Sequence, residues 1–206
     1  MPLVKKISTE VGLLGIWKLS ERSEKLEEKF NFRMEEKTEY SKIRTEKRKT
    51  EYLAARLLSK ELLGFKPEIA YEPSGKPVLE NSDFKISISH SAELVTVIIS
   101  KKKVGIDVEN TKRNIDKIAK RFLHINELNH ILTLKKPHPI KALYWSAKEA
   151  IFKCTDTKSV EFKKQIIIDP FEKKSEGSFT GTLNGSIQYK LWYFFYENNV
   201  VVYCVE

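Results

Sequence analysis

The segment VGIDVEN, residues 104 to 110, sets two carboxylates, Asp107 and Glu109, one residue apart in a run that reads as a β-strand. Side chains alternate faces along a strand, so Asp107 and Glu109 share one face while Ile106 and Val108 take the other. Two ionised carboxylates a few ångströms apart repel by roughly 1 to 4 kcal/mol, depending on screening. A hard divalent cation removes that cost, and Mg²⁺ in particular takes one or two carboxylates together with waters and substrate phosphates. The plainer alternative is a solvated polar face beside Lys102 and Lys103. The pair by itself supports both.

A second chemical stretch is WSAKEAIFK, residues 145 to 153. On a helix Trp145, Glu149, Phe152 and Lys153 fall on one stripe, so a carboxylate and an ammonium border apolar side chains. A solvated Glu–Lys pair of this spacing contributes only about 0.2 to 0.5 kcal/mol. Partial burial would change its meaning, raising the Glu pKa and lowering the Lys pKa, which suits a general base and a phosphate-binding charge. ISISHS, residues 86 to 91, ends a strand of alternating isoleucines in Ser89, His90 and Ser91, where His90 is either structural or a ligand contact. GKP, residues 75 to 77, holds a lysine in a stiff loop, free to meet a phosphate or to face water.

These stretches need a scaffold, and the chain has enough length for one. Its 206 residues, 41% hydrophobic and 32% charged, describe a globular protein able to bury a sizeable core. No apolar run approaches the ~20 residues that span a bilayer, and VGLLGIW (11 to 17) is too short for a signal peptide. A cytoplasmic location without membrane attachment is expected. Cys154 and Cys204 stand apart from any C-x-x-C or histidine and read as buried small hydrophobes. The net charge of +9, from 37 Lys plus Arg against 28 Asp plus Glu, favours an anionic partner.

Helical spacing dominates residues 19 to 63, ending at Gly64. After a loop at 71 to 81, the runs at 84 to 90, 94 to 100 and 104 to 109 predict an antiparallel meander. Helices are predicted over 114 to 135 and 140 to 154, divided by the prolines of KKPHP. The last third alternates around turns at Asn184-Gly185 and Asn198-Asn199, a second antiparallel sheet. The order predicts an α+β chain of two comparable halves, 1–101 and 102–206, each a small antiparallel sheet packed with helices.

Taken in order, G-K-P, I-S-I-S-H-S, V-G-I-D-V-E and W-S-x-K-E-A-x-x-K, spread over residues 75 to 153, resemble the 4'-phosphopantetheinyl transferases of the monomeric, two-half Sfp type. The first 40 residues carry no diagnostic motif. The resemblance implies two similar α/β halves related by a pseudo-two-fold axis, with coenzyme A and Mg²⁺ in the cleft between them. It implies transfer of the phosphopantetheine arm of coenzyme A to a serine of an apo acyl or peptidyl carrier protein, with release of adenosine 3',5'-bisphosphate. That is a holo-acyl-carrier-protein synthase type of activity, serving fatty-acid or secondary-metabolite synthesis. Asp107 and Glu109 become metal ligands, and Glu127, in RFLHINELNHI, falls where the family has a third acidic residue.

By the same resemblance Glu149 is the base for the serine hydroxyl, with Glu127 its rival, and Lys153 binds pyrophosphate oxygens with Lys148 as a second cation. Ser89 and His90 look like contacts to the 3'-phosphate side of coenzyme A. Gly75, Lys76 and Pro77 would line the adenine and ribose region, and Arg48 and Arg56 either meet the 3'-phosphate or form a solvated basic helix face. Two alternatives remain open: a metal-dependent nuclease, for which Lys112 is misplaced after Asp107, and an inactive carrier-binding relative, which the intact Asp107, Glu109, Glu149 and Lys153 disfavour. No nucleic-acid partner is expected.

Overall fold

The chain enters through a hairpin of β1 (Leu3–Ser8) and β2 (Leu13–Lys18). The structure, a computed structural model, describes residues 2–134, 138–157 and 159–206. Helices α1 (Ser23–Glu27), α2 (Met34–Ser41) and α3 (Glu46–Leu63) follow. The Thr45 hydroxyl accepts from the Arg48 N–H at the start of α3, and Gly64, at φ +78°, ends it in the left-handed conformation that glycine takes without strain. Between those caps α3 buries Leu53, Ala54, Leu57, Leu58 and Leu62. A short ribbon, β3 (Ile69–Tyr71) with β4 (Pro77–Leu79), leads to β5 (Lys85–His90) and β6 (Leu94–Ser100). The first sheet is four-stranded and antiparallel, in the order β1-β2-β6-β5.

β7 (Val104–Asn110) opens the second sheet. Helices α4 (Asp116–Phe122), α5 (Ile125–Leu132), α6 (His138–Cys154) and α7 (Phe162–Gln165) precede β8 (Ile166–Ile168), β9 (Glu176–Leu183), β10 (Ile187–Tyr196) and β11 (Asn199–Val205). This sheet is five-stranded, in the order β7-β11-β10-β9-β8. Helix α6 lies on β7 and β11 and buries Leu143, Ala147, Ala150 and Ile151 there. Gly105 is what permits the contact, since a Cβ on it would stand 1.9 Å from the Ala150 carbonyl oxygen. The glycine of VGID therefore lets the acidic strand press against the helix that carries Glu149 and Lys153.

Mixed helices and antiparallel sheets bear out the α+β class. The expected meander is corrected: β5 and β6 pair, but β7 leaves them and pairs with β11 over its whole length. The far edge of β6 is already occupied by β2, so β7 cannot join that side. Instead β7 runs beside β5 and β6 as a neighbouring layer. Leu14, Ile16, Leu94 and Ile98 from the first sheet bury against Val104, Ile106, Val108 and Val201 from the second. The continuous apolar run of β6 follows, because it is covered on both faces.

Leu13 to Trp17 of VGLLGIW lie in β2, a strand that the periodicity did not reveal. The single helix expected from residue 114 divides at Leu123 and His124, both extended. There the His124 N–H donates to Glu127 Oε2 and the Asn126 N–H to His124 Nδ1, so the break is a capped helix start. Of the expected break at KKPHP, residues 135 to 137 lie outside the described residues, while Pro139 stands in the first turn of α6, which opens at His138. The Asn184-Gly185 turn is present, whereas the last turn sits one residue earlier than expected, on Glu197 and Asn198, with Asn199 paired to Tyr196 inside the ladder. Among the described residues no helix is long and apolar enough to cross a membrane.

Candidate functional site

Strand β7 turns Asp107 and Glu109 to the face it shares with Gly105, toward α6 and opposite the apolar face that meets the first sheet; they are 6% and 8% exposed. The Asp107 carboxylate is gripped on one oxygen: Oδ1 accepts from Lys153 Nζ at 2.8 Å and from the Ser89 hydroxyl at 2.8 Å. Lys153 also donates to Ser89 Oγ at 2.9 Å and to the Ile106 carbonyl at 3.1 Å. The other oxygen of Asp107, Oδ2, is buried with no hydrogen-bond partner among the described residues. Glu109 pairs with Arg113 and accepts from the Asn110 N–H at 2.9 Å.

Glu149 reaches the same region from α6. Burial raises its pKa from the ordinary carboxylate range to about 7, the Asp107 charge adds to the rise, and Lys153 opposes it, with Glu109 contributing further. Asp107, Glu109 and Glu149 thus share one electrostatic neighbourhood in which Lys153 and Arg113 are the countercharges. Among the described residues no three His, Cys, Asp or Glu side chains close into a set that would hold a metal ion. The donor chemistry nevertheless fits a hard cation: the site offers carboxylate oxygens, and Asp107 Oδ2 is a buried acceptor left unpaired. Such an ion would compete with Arg113 for Glu109.

Glu127 and Lys148 are brought to each other instead. Their ion pair is 2.8 Å long, and they are 1% and 0% exposed. Lys148 donates to the Phe162 and Ile166 carbonyls at 3.0 and 2.6 Å, and Glu127 accepts from the Ile168 and His124 N–H groups at 2.9 and 2.8 Å. Among the described residues, none of the partners of Glu127 belongs to the acidic strand. The pair ties α5 to α6 and β8 inside the second core, beside Trp145, which packs between Phe122 and Phe162.

Strand alternation sends Ser89 to the seam and its neighbour His90 to a groove of about 660 Å³ in the first half. Arg44, Arg48, Tyr52, Gly75, Pro77 and His90 line it, so four of the residues expected to touch coenzyme A meet around one cavity. Arg48 donates to His90 Nε2 at 2.6 Å and to Glu51 at 3.0 Å. Burial pushes the His90 pKa below its ordinary value, with Glu51 opposing and Arg48 and Lys153 reinforcing the shift. The groove adjoins the acidic site through Ser89, the neighbour of His90, which bonds both Asp107 and Lys153.

The remaining candidates lie elsewhere. Lys76 leaves the groove and binds Asp156 at 2.8 Å, joining the loop before β4 to the end of α6, with Lys103 on the same carboxylate. Those two lysines hold the Asp156 pKa down at about 2. Arg56 is 2% exposed, stacked 3.4 Å from the Tyr52 ring and flanked by Glu36 and Glu39, beneath the groove. Sequence reasoning missed Arg44, Tyr52 and Arg113. Arg44 precedes the helix cap at Thr45, a placement that could have flagged it, whereas nothing in the spacing links Arg113 to Glu109 once the chain turns out of β7.

The acidic strand, α6 and the whole second sheet fall within one further match. The family model of the 4'-phosphopantetheinyl transferase superfamily aligns with residues 103–205, half of the chain. This protein belongs to that superfamily. It is 35% identical over 82 residues to the 4'-phosphopantetheinyl transferase Sfp of Bacillus subtilis (strain 168), covering 38% of this chain and 37% of that protein. It is also 35% identical over 89 residues to the 4'-phosphopantetheinyl transferase psf-1 of Bacillus pumilus, covering 41% of this chain and 37% of that one. The chain thus matches little more than a third of the length of either relative. Within the superfamily, it resembles the Sfp type.

Proposed function

We propose that the protein transfers the phosphopantetheine arm of coenzyme A to a serine of an acidic apo carrier protein, releasing adenosine 3',5'-bisphosphate. The observation that carries this reading is the meeting of Asp107, Glu109, Glu149 and Lys153 between β7 and α6, beside a groove edged by Arg48 and His90. The halves 1–101 and 102–206 would divide the work, the first holding the nucleotide and the second the reacting phosphate. Arg44 and Arg48 supply fixed positive charge for a phosphate, and Gly75 and Pro77 border the same groove as a floor for adenine and ribose.

Asp107 and Glu109 would hold Mg²⁺, which when bound stabilises charge on the pyrophosphate as a Lewis acid. Lys153 spends its three donors on Ser89, the Ile106 carbonyl and Asp107, so it would lend the pyrophosphate its positive charge and would donate to it by exchanging one of those bonds. Glu149, with a pKa near 7, is poised to take the proton from the attacking serine hydroxyl. Glu127 and Lys148, each saturated by the other and by backbone groups, hold α5 and β8 against α6 rather than meet substrate.

Purified protein incubated with Mg²⁺, coenzyme A and a panel of apo carriers tests the reading by intact mass. One carrier gaining the mass of the phosphopantetheine arm is the expected result. No mass shift across fatty-acid, polyketide and nonribosomal-peptide carriers, together with DNA cleavage, would favour the nuclease alternative.

A further inference from the structure

The sequence resemblance assigns Ser89 to coenzyme A, yet its hydroxyl is committed elsewhere. It donates to Asp107 Oδ1 at 2.8 Å and accepts from Lys153 Nζ at 2.9 Å and from the Val108 N–H at 3.2 Å. A hydroxyl has one donor and two acceptor lone pairs, so its capacity is used up. The side chain is also buried.

We infer that Ser89 is a positioning residue, which by tying Asp107 Oδ1 to Lys153 makes Oδ2 the oxygen that Asp107 offers to a divalent cation. Oδ2 is buried and without a partner among the described residues, a costly state for a carboxylate oxygen unless something binds it. Rotation about the terminal bond of an aspartate exchanges its two oxygens, and that torsion is soft. Lys153 alone could follow such a rotation on its flexible stem, whereas Ser89 is anchored by the backbone of β5 and by the Val108 N–H. Ser87, two residues earlier on the same face of β5, makes the matching bond to the Ile106 N–H at 3.1 Å but bonds neither Asp107 nor Lys153. One serine therefore only closes the seam between the sheets, while the other also sets the acid.

The inference takes Asp107 as a cation ligand from the proposed function, and its test is separate from transfer. Mn²⁺ alone is titrated into the full-length, metal-free protein, with unbound Mn²⁺ read by electron paramagnetic resonance, and coenzyme A binding is measured by calorimetry. Ser89→Ala is expected to weaken Mn²⁺ binding by about 10-fold or more, the usual effect of removing a group that orients a ligand. Ser87→Ala should match the wild type in Mn²⁺ binding despite a comparable fall in melting temperature, and Ser89→Thr, which keeps the hydroxyl, should restore affinity. If Ser89→Ala does not fold, Ser89→Cys carries the same comparison through its weaker S–H donor.

Wild-type Mn²⁺ affinity in Ser89→Ala with weakened coenzyme A binding would make Ser89 a substrate contact and overturn the inference. Equal Mn²⁺ losses in the two alanine variants would reduce Ser89 to a seam residue. Absence of Mn²⁺ binding by the wild type would also overturn it. Intact, Ser89-dependent Mn²⁺ binding without any carrier mass shift would uphold the inference while sinking the transferase reading.

Discussion

A single carboxylate, Glu149, carries the sharpest expectation. With a folded pKa of about 7 against an ordinary 4.5, the folded chain keeps a proton that the unfolded chain gives up. The sign follows: this group favours the folded state most below pH 4.5, and that contribution is lost as pH rises toward 7. In metal-free protein, thermal melts from pH 4.5 to 7.5 should show a fall that Glu149→Gln flattens; identical profiles for the two proteins would remove the raised pKa. In transfer assays Glu149→Gln should lower turnover by about 10² to 10⁴ with little change in coenzyme A affinity, as expected of a base. Asp107 and Glu109 were legible at this scale because period-two alternation fixes their common face before any partner is known. Arg113, Tyr52 and the second role of Ser89 were not, because each depends on which segment lies opposite.

Among elements, α6 organises the second half, and its two acidic and basic neighbours diverge because adjacent helical residues point about 100° apart. Lys148 turns into the core to meet Glu127, while Glu149 and Lys153 face β7. The family resemblance grouped Lys148 with the site, whereas the helical stripe of Trp145, Glu149, Phe152 and Lys153 leaves it out. Glu127→Gln leaves the Lys148 ammonium buried without its countercharge and should destabilise the protein by about 3 to 5 kcal/mol in denaturant melts. Turnover per folded molecule should fall far less than in Glu149→Gln. The reverse pattern, stable protein with turnover lost, would return Glu127 to the chemistry.

Across the whole molecule, the net charge of +9 meets two anionic partners in the proposed reaction. Carrier affinity measured by calorimetry should weaken as salt rises from 50 to 500 mM, since the Debye length shortens well below 10 Å over that range. Salt-independent binding would mean that apolar contacts carry the association. Local order decided most elements: the cap at Thr45, the stop at Gly64, the turn at Asn184-Gly185 and the alternation of β9 to β11 are short-range effects written in adjacent residues. The sequence alone also determined that two acids share a strand face and that an acid and a lysine follow on a helix. Only the tertiary structure decided that β7 pairs with β11, that Ser87 and Ser89 close the seam to it, and that Lys148 belongs to Glu127. Those choices join residues tens of positions apart, and they are settled by which buried surfaces and polar groups satisfy one another when the sheets pack.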